Sequence, residues 1–353
     1  MTHTPDFRIS HVEFHVADLA AASAELTDHY GFRPVGRAAS AEADSLALRQ
    51  GRITLVLTQA RTDGHPAARY VRTHGDGVAD IALTVPDVSL AYADAMARGA
   101  VTVAPPHRHP DGRTTAVIEG FGDVVHTLTE AGDFAVPPSF TPVPDAGAAG
   151  ADGLLTELDH LAVCLEAGDL DRTVEYYTRV LGFRTIFTED IRVGAQAMES
   201  QVVQSASGAI ALTLIQPDAT AEPGQINRFL ERHGGPGVQH LAFATADIVE
   251  AVSTLGGRGV DFLSTPESYY TLLAGRLDLT RHTLARLREL NVLVDEDQDG
   301  QLFQIFTRST HPNSTLFYEV IERFGARTFR SGNIKALYEA VEAERLASEG
   351  ASR

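Results

Sequence analysis

Short runs of alternating apolar and polar residues recur along the chain, each followed by a helical stretch and a glycine stop. Ile9-Ser-His11-Val-Glu-Phe-His15-Val leads through an Ala-rich helical stretch to Tyr30-Gly-Phe32-Arg. Leu158-Asp-His160-Leu-Ala-Val leads through Asp171 to Val180 to Leu181-Gly-Phe183-Arg. Alternation of period two predicts a strand with one buried face, and the longer period between predicts a helix ended by glycine. Two more copies follow the same plan. Gly77-Val-Ala-Asp80-Ile-Ala-Leu-Thr precedes a helix over Asp87 to Ala97 and Arg98-Gly99. Gly237-Val-Gln-His240-Leu-Ala-Phe-Ala precedes one over Asp247 to Leu255 and Arg258-Gly259. Four units of strand, helix and strands are therefore predicted, two in each half of a duplicated chain.

Between Ala131 and Thr156 this pattern lapses. Pro137, Pro138, Pro142 and Pro144 favour extended chain, and the run Ala146 to Gly153 offers little to bury. The expected organisation is a domain over 1–135, a linker over 136–155 and a domain over 156–353. The second domain is longer because an insertion with helical character lies between Glu267 and Gly300. A terminal amphipathic helix is predicted over Asn333 to Glu349, with Ile334, Leu337, Tyr338 and Val341 on one face.

Composition narrows the function. The formal charge of −18, from 29 Lys plus Arg against 47 Asp plus Glu, argues against a general affinity for nucleic acid or anionic membranes. One cysteine, Cys164, cannot form an intramolecular disulfide, so a reducing compartment is expected. Met1 to Ser10 lacks the basic and apolar regions of a signal peptide, and no apolar run approaches the ~20 residues that span a bilayer. A soluble cytoplasmic protein is the expectation.

Three ionisable residues stand at matching points of the second half's units: His160, His240 and Glu319, each among apolar neighbours. There an ionisable side chain is costly unless it is paired or bound to metal. Two imidazoles and a carboxylate make up the facial triad of non-haem Fe(II) oxygenases. Singly, each has an ordinary alternative, a satisfied core histidine or a solvated strand-end glutamate. Joint placement on equivalent strands favours the ligand set. In the first half His11 stands opposite His160, but Asp80 and Thr127 stand opposite His240 and Glu319, so that half is expected to be structural.

Several stretches carry a resemblance. They are Gly237-Val-Gln-His240, Gly259-Val-Asp-Phe-Leu with Pro266 and Tyr269-Tyr270, and Leu293-Val-Asp295-Glu-Asp297. They continue with Gly300-Gln-Leu-Phe-Gln304-Ile-Phe306-Thr, Glu319-Val-Ile-Glu-Arg and Gly332-Asn-Ile-Lys-Ala-Leu-Tyr-Glu-Ala-Val-Glu. Over these the second half resembles the 4-hydroxyphenylpyruvate dioxygenase family of the vicinal-oxygen-chelate superfamily. The first half is similar to it more weakly.

The resemblance implies an α+β fold of four βαβββ modules in two half-open barrels, with a C-terminal lid helix. It implies one Fe(2+) per chain held by His160, His240 and Glu319, with 4-hydroxyphenylpyruvate and O2 as substrates. Assembly is left open between a single chain and a homodimer. The family holds two chemistries on that substrate: ring hydroxylation to homogentisate and benzylic hydroxylation to 4-hydroxymandelate, a precursor of the 4-hydroxyphenylglycine of some peptide antibiotics. Ring-hydroxylating members carry Gly-Asn-Phe where this chain has Ile334, and Pro-x-Asn where it reads Thr213-Leu-Ile215. These departures side with the benzylic branch, for which the implied reaction is 4-hydroxyphenylpyruvate plus O2 to 4-hydroxymandelate plus CO2.

Strand parity adds pocket candidates. Gln304 and Phe306 share a face, as do Thr213 and Ile215. Ser200, Gln225, Phe329 and Ile334 stand where the resemblance puts pocket residues, and Phe329 with the terminal helix is expected to form a lid. Cys164 shares parity with His160 and is expected to face the same interior. The run Asp295-Glu-Asp297-Gln-Asp299-Gly300 imitates a calcium loop, but its twelfth position is Phe306, and a polar hairpin turn is expected instead.

Overall fold

The computed structural model describes residues 6–132, 136–143 and 153–327. The first module is β1 (Arg8–His15), α1 (Leu19–Ala24), β2 (Arg33–Ala39), β3 (Ala43–Gln50) and β4 (Ile53–Ala60). Helix α2 (Pro66–His74) leads to β5 (Gly77–Val85), α3 (Val88–Ala97), β6 (Thr102–Arg108), β7 (Thr114–Phe121) and β8 (Val124–Glu130). The strand β9 (Thr141–Pro142) pairs with β2, so part of the stretch expected as a linker extends the first sheet. It is tied down by Arg113, whose guanidinium donates to the carbonyls of Val136 and Pro137.

The third module is β10 (Glu157–Cys164), α4 (Leu170–Val180), β11 (Arg184–Val193), β12 (Gln196–Gln204) and β13 (Ala211–Pro217), followed by α5 (Gln225–His233). The fourth is β14 (Gly237–Ala244), α6 (Ile248–Gly257), α7 (Glu267–Arg276), α8 (Leu284–Glu289), β15 (Leu293–Glu296), β16 (Gln301–Phe306) and β17 (Phe317–Phe324). Helices α7 and α8 are the predicted insertion. The acidic run after β15 is the expected hairpin turn, in which Asp297 accepts from the backbone N–H of Asp299 and Gly300.

The sheet orders display the duplication. The first runs β6-β7-β8-β5-β1-β4-β3-β2-β9 and the second β11-β12-β13-β10-β14-β17-β16-β15. In each, the opening strands of two modules pair antiparallel at the centre, β1 with β5 and β10 with β14. Local chemistry repeats too. Asp18, Asp87 and Asp247 cap α1, α3 and α6, each accepting from backbone N–H groups of the first turn. Gly99 and Gly259 leave α3 and α6 at φ of 100° and 98°, a region that favours residues without a Cβ.

A shared apolar core packs on the convex faces of both sheets. Phe32 meets Phe243 at 5.8 Å between ring centres, and Tyr30 meets Tyr318 at 5.0 Å. Buried between the halves, the Tyr177 hydroxyl lies 2.7 Å from Nε2 of His126. Outward-packing residues such as Leu161, Val163, Leu241 and Phe243 belong to this core. The alternate residues of the same strands therefore line the opposite, concave face, where the ionisable groups lie. Among the described residues no helix is long and apolar enough to cross a membrane.

Candidate metal centre

Register brings three distant residues together. His160 lies opposite Ala242, and Ala242 lies opposite Glu319, so the row crosses β10, β14 and β17. One step along the same strands, Ala162 lies opposite His240 and His240 opposite Phe317. Strand residues two apart share a face, so all three side chains converge on the concavity. Nε2 of His160 and Nε2 of His240 each stand 3.4 Å from Oε2 of Glu319. One donor atom from each of the three lies within 4.8 Å of the other two.

The electrostatics of this cluster call for a cation. All three residues are buried. Oε1 of Glu319 and Nδ1 of His240 have no hydrogen-bond partner among the described residues. A buried carboxylate with an unused oxygen is expensive unless a positive charge meets it. Burial acts to raise the Glu319 carboxyl, but the imidazoles of His160 and His240 outweigh it and hold the group below its ordinary range. Burial acts to lower His160, and the carboxylates of Glu319 and Asp159 reverse this and raise it to about 9. For His240 burial prevails and lowers the imidazole. Two imidazole nitrogens and one carboxylate oxygen, buried and converging, suit a divalent transition metal and leave other coordination positions open.

Two β-bulges prepare these ligands. The register of β10 against β14 slips between Leu158 and His160, leaving Asp159 as the extra residue, and slips again at Ala162/Val163, where Gln239 is extra. Bulges re-aim side chains beside functional sites. Oδ1 of Asp159 sits 2.9 Å from Nδ1 of His160, and both its oxygens accept from Arg323, at 2.6 Å from Nε and 2.8 Å from the second nitrogen. A carboxylate can only accept, so Nδ1 of His160 donates to Asp159, and Nε2 is the nitrogen that faces the cluster, where a bound metal would replace its proton. Asp159, Arg323 and Gln239 were not among the residues expected from sequence. For Asp159 and Gln239 the available signal was a polar residue just before a histidine, which interrupts the alternation, whereas Arg323 carried no such signal.

The remaining candidates separate into three groups. Ser200 on β12 lies opposite Ile215 on β13, and Ile215 opposite Cys164 on β10. The neighbouring row runs Thr213, Ala162, His240. Ser200, Thr213, Ile215 and Cys164 thus face the triad's concavity, and the hydroxyls of Ser200 and Thr213 are buried without a partner among the described residues. Cys164 packs there with Ile215 and Met198, and burial pushes its thiol up. Phe306 lies opposite Glu319 with its ring 5.9 Å from His240, and Gln304 lies buried one step along β16. Gln225, at the start of α5, lines a cavity of about 370 Å³ with Gln239 and Phe317, and Phe317 stacks on His240 at 4.9 Å. Phe329, Ile334 and the terminal lid helix lie outside the described residues.

The first sheet repeats the scaffold with different chemistry. Its bulges leave Ser10 and Ala79 as the extra residues, in the register positions of Asp159 and Gln239. Asp80 lies opposite Glu13 as His240 lies opposite Ala162, and Thr127 occupies the place of Glu319. Thr127 donates to Asp80 through both its N–H and its hydroxyl. Burial and then the nearby Glu13 push the Asp80 carboxyl up to about 7. Among the described residues this sheet holds no comparable group of three donors. A second such group, Asp247, His282 and Glu322, has the Arg281 guanidinium inside it, so an ion-pair network accounts for it.

Two family descriptions match successive parts of the chain. "Hydroxyphenylpyruvate dioxygenase, HPPD, N-terminal" matches residues 7–131, and "Glyoxalase/Bleomycin resistance protein/Dioxygenase superfamily" matches residues 157–305. The 4-hydroxyphenylpyruvate dioxygenase of Xenopus tropicalis is 31% identical, with 95% of this chain and 90% of that protein covered. The chain belongs to the 4-hydroxyphenylpyruvate dioxygenase family. It is accordingly an enzyme, a non-haem iron dioxygenase. Among solved structures, a triple-substitution variant of 4-hydroxymandelate synthase from Streptomyces coelicolor is 46% identical at a TM-score of 0.90, with 97% of this chain and 99% of that one covered. A fusion of a xylose isomerase-like TIM barrel with a 4-hydroxyphenylpyruvate dioxygenase is 25% identical at a TM-score of 0.74, covering 94% of this chain and 52% of that one. These structures share the α+β fold of paired half-barrels.

Proposed function

We propose that the chain is a 4-hydroxymandelate synthase, converting 4-hydroxyphenylpyruvate and O2 to 4-hydroxymandelate and CO2. His160, His240 and Glu319 would hold one Fe(II). When bound, this metal supplies chelation of a 2-oxo acid and activation of O2, the chemistry that couples decarboxylation to hydroxylation. The observation that carries the reading is Ile215 facing the triad's concavity between Ser200 and Cys164. A branched apolar side chain there offers no hydrogen bond to the phenol or to a water, whereas an amide would fix it. The 46% identity to a hydroxymandelate synthase supports the same branch.

Each residue then has a definable task. Asp159 and Arg323 keep the His160 ring in one tautomer and orientation. The hydroxyls of Ser200 and Thr213 supply polar contacts on one side of the pocket, and Gln304 on another. Phe306 and Phe317 pack against His240 and keep water from it. With the aromatic ring held by such walls, the benzylic carbon instead of a ring carbon is placed for attack. The first domain, 1–135, serves as a structural partner to the second, 156–353, and specialised metabolism feeding peptide antibiotics is the setting. A single buried cysteine and an oxidation-sensitive metal fit a reducing cytoplasm.

The ring-hydroxylating reading has its own support, since the curated relatives at about 30% identity carry the name 4-hydroxyphenylpyruvate dioxygenase. Product chromatography after incubation with 4-hydroxyphenylpyruvate, Fe(II) and O2 decides between the two. Expected is 4-hydroxymandelate as the main product; homogentisate as the main product overturns the proposal.

A further inference from the structure

The two halves repeat a histidine at one corner. His74 ends α2 and His233 ends α5, each followed by a glycine at positive φ, 75° at Gly75 and 77° at Gly234, before β5 and β14 begin. The duplication brings these equivalent rings face to face. They stack at 4.4 Å between ring centres with 22° between their planes, and both are buried. Tyr70 of α2 packs on His74 at 4.6 Å, and Phe229 of α5 stacks on His233 at 5.0 Å.

Hydrogen bonding gives the two rings different protonation states. Nδ1 of His74 lies 2.7 Å from the carbonyl oxygen of His233, and Nε2 lies 2.9 Å from Oδ2 of Asp123, in the turn between β7 and β8. Both partners can only accept, so both nitrogens carry protons and His74 is an imidazolium. Nδ1 of His233 donates to the Gly235 carbonyl at 3.0 Å. Burial, and then the neighbouring His74, lower the His233 ring to about 4 and keep it neutral. Ionisable groups on the other packed elements are engaged elsewhere. Asp76 accepts from the Ala17 N–H, His15 of β1 faces Glu13 at 3.8 Å, and Asp80 of β5 is held by Thr127. His311, between β16 and β17, faces Glu25 and Asp76, and β4 carries no charged residue.

The stack bears on the strand that carries His240. Gly237 opens β14 three residues earlier, so close to the His233 ring that a Cβ there would collide with it. We propose that His74 is a positioning residue: as an imidazolium bridging Asp123 and the His233 carbonyl, it latches the α5–β14 corner onto the first half and holds the strand of His240 in place. The inference uses His240 as a ligand but not the identity of the product, so the latch and the proposed reaction fail separately. A neutral His74 donates through one nitrogen only, so one of its two bonds is lost as pH rises. The stability that the latch contributes is therefore present at lower pH and disappears towards higher pH.

Denaturant unfolding of the full chain between about pH 5.5 and 8.5, a range spanning ordinary imidazole titration, tests the latch. Asp80 contributes a slope of the same sign, so every variant is made in the Asp80→Asn background. There Asp123→Asn, at a largely exposed side chain, should lower the folding equilibrium constant about two- to fivefold at the acid end and leave it unchanged at the alkaline end. In His74→Gln the same change should have no effect at any pH. Asp190→Asn, an exposed carboxylate on β11, controls for net charge. Metal titration over the same range reads positioning, since an opened corner reduces apparent affinity by the fraction that remains closed. The ratio of metal affinities, parent to Asp123→Asn, should be about twofold at the acid end and approach one at the alkaline end. A ratio of one at every pH overturns the positioning role. A pH-independent effect of Asp123→Asn on stability, its persistence in His74→Gln, or an equal effect of Asp190→Asn overturns the latch. Homogentisate as the main product would overturn the proposed reaction and leave the latch standing.

Discussion

Asp159 is the residue left over by a β-bulge, and its carboxylate lies 2.9 Å from Nδ1 of His160 while Arg323 grips both its oxygens. This pair sets the tautomer that frees Nε2 for metal. Asp159→Ala should therefore weaken metal binding by about 10- to 100-fold, the range typical of such outer partners. Metal titration of the purified protein checks it. Asp159→Asn keeps a carbonyl oxygen for the His160 N–H and should lose less.

Removing a donor itself should abolish the site. His160→Ala and Glu319→Ala are each expected to leave the protein without stoichiometric iron and without keto-acid-dependent oxygen uptake. Iron analysis and an oxygen electrode read the two results. Unchanged iron content in both variants would refute the ligand set.

Ile215→Asn tests the geometry of product choice. Ser200 lies directly opposite, and its hydroxyl, without a partner among the described residues, offers the new amide a bond. That bond offsets part of the roughly 1–3 kcal/mol that burying an amide costs. The share of homogentisate in the product mixture should rise at the expense of 4-hydroxymandelate, measured by chromatography.

Asp80 makes stability depend on pH. Its carboxyl is raised to about 7 in the fold by burial and by Glu13, whereas an unfolded aspartate titrates near 4. Between these values the folded state holds a proton that the unfolded state has lost, so stability declines as pH rises. Its contribution is complete below about pH 4 and is lost as pH rises through about 7, with a total on the order of a few kcal/mol. Asp80→Asn keeps an acceptor for the Thr127 N–H and a partner for its hydroxyl, and stays neutral throughout. Denaturant unfolding between pH 4 and 8 should show a flatter profile for this variant.

Much of this was legible along the chain because its signals are local. The four modules appear as alternation followed by helical spacing, and the Asp caps and Arg-Gly stops of α3 and α6 mark their ends in sequence. His160 and His240 stood out as imidazoles within apolar strands. The two-residue β9 was not expected, since four prolines read as extended linker and its pairing to β2 depends on the distant Arg113. Gln239 was missed for a related reason. Strict alternation would point it away from the face of His240, and only the bulge explains its place in the lining of the cavity beside that histidine.

By itself the sequence determined the duplicated modules, the presence of the donor residues in the second half, and their replacement by Asp80 and Thr127 in the first. Only the tertiary structure decided that His160, His240 and Glu319 meet, that Asp159 and Arg323 lie behind one of them, and that His74 of one half stacks on His233 of the other. The physical reason is that alternation fixes a face of each strand, whereas neighbours across a sheet depend on strand order and register. Those are set by pairings between segments far apart in the chain.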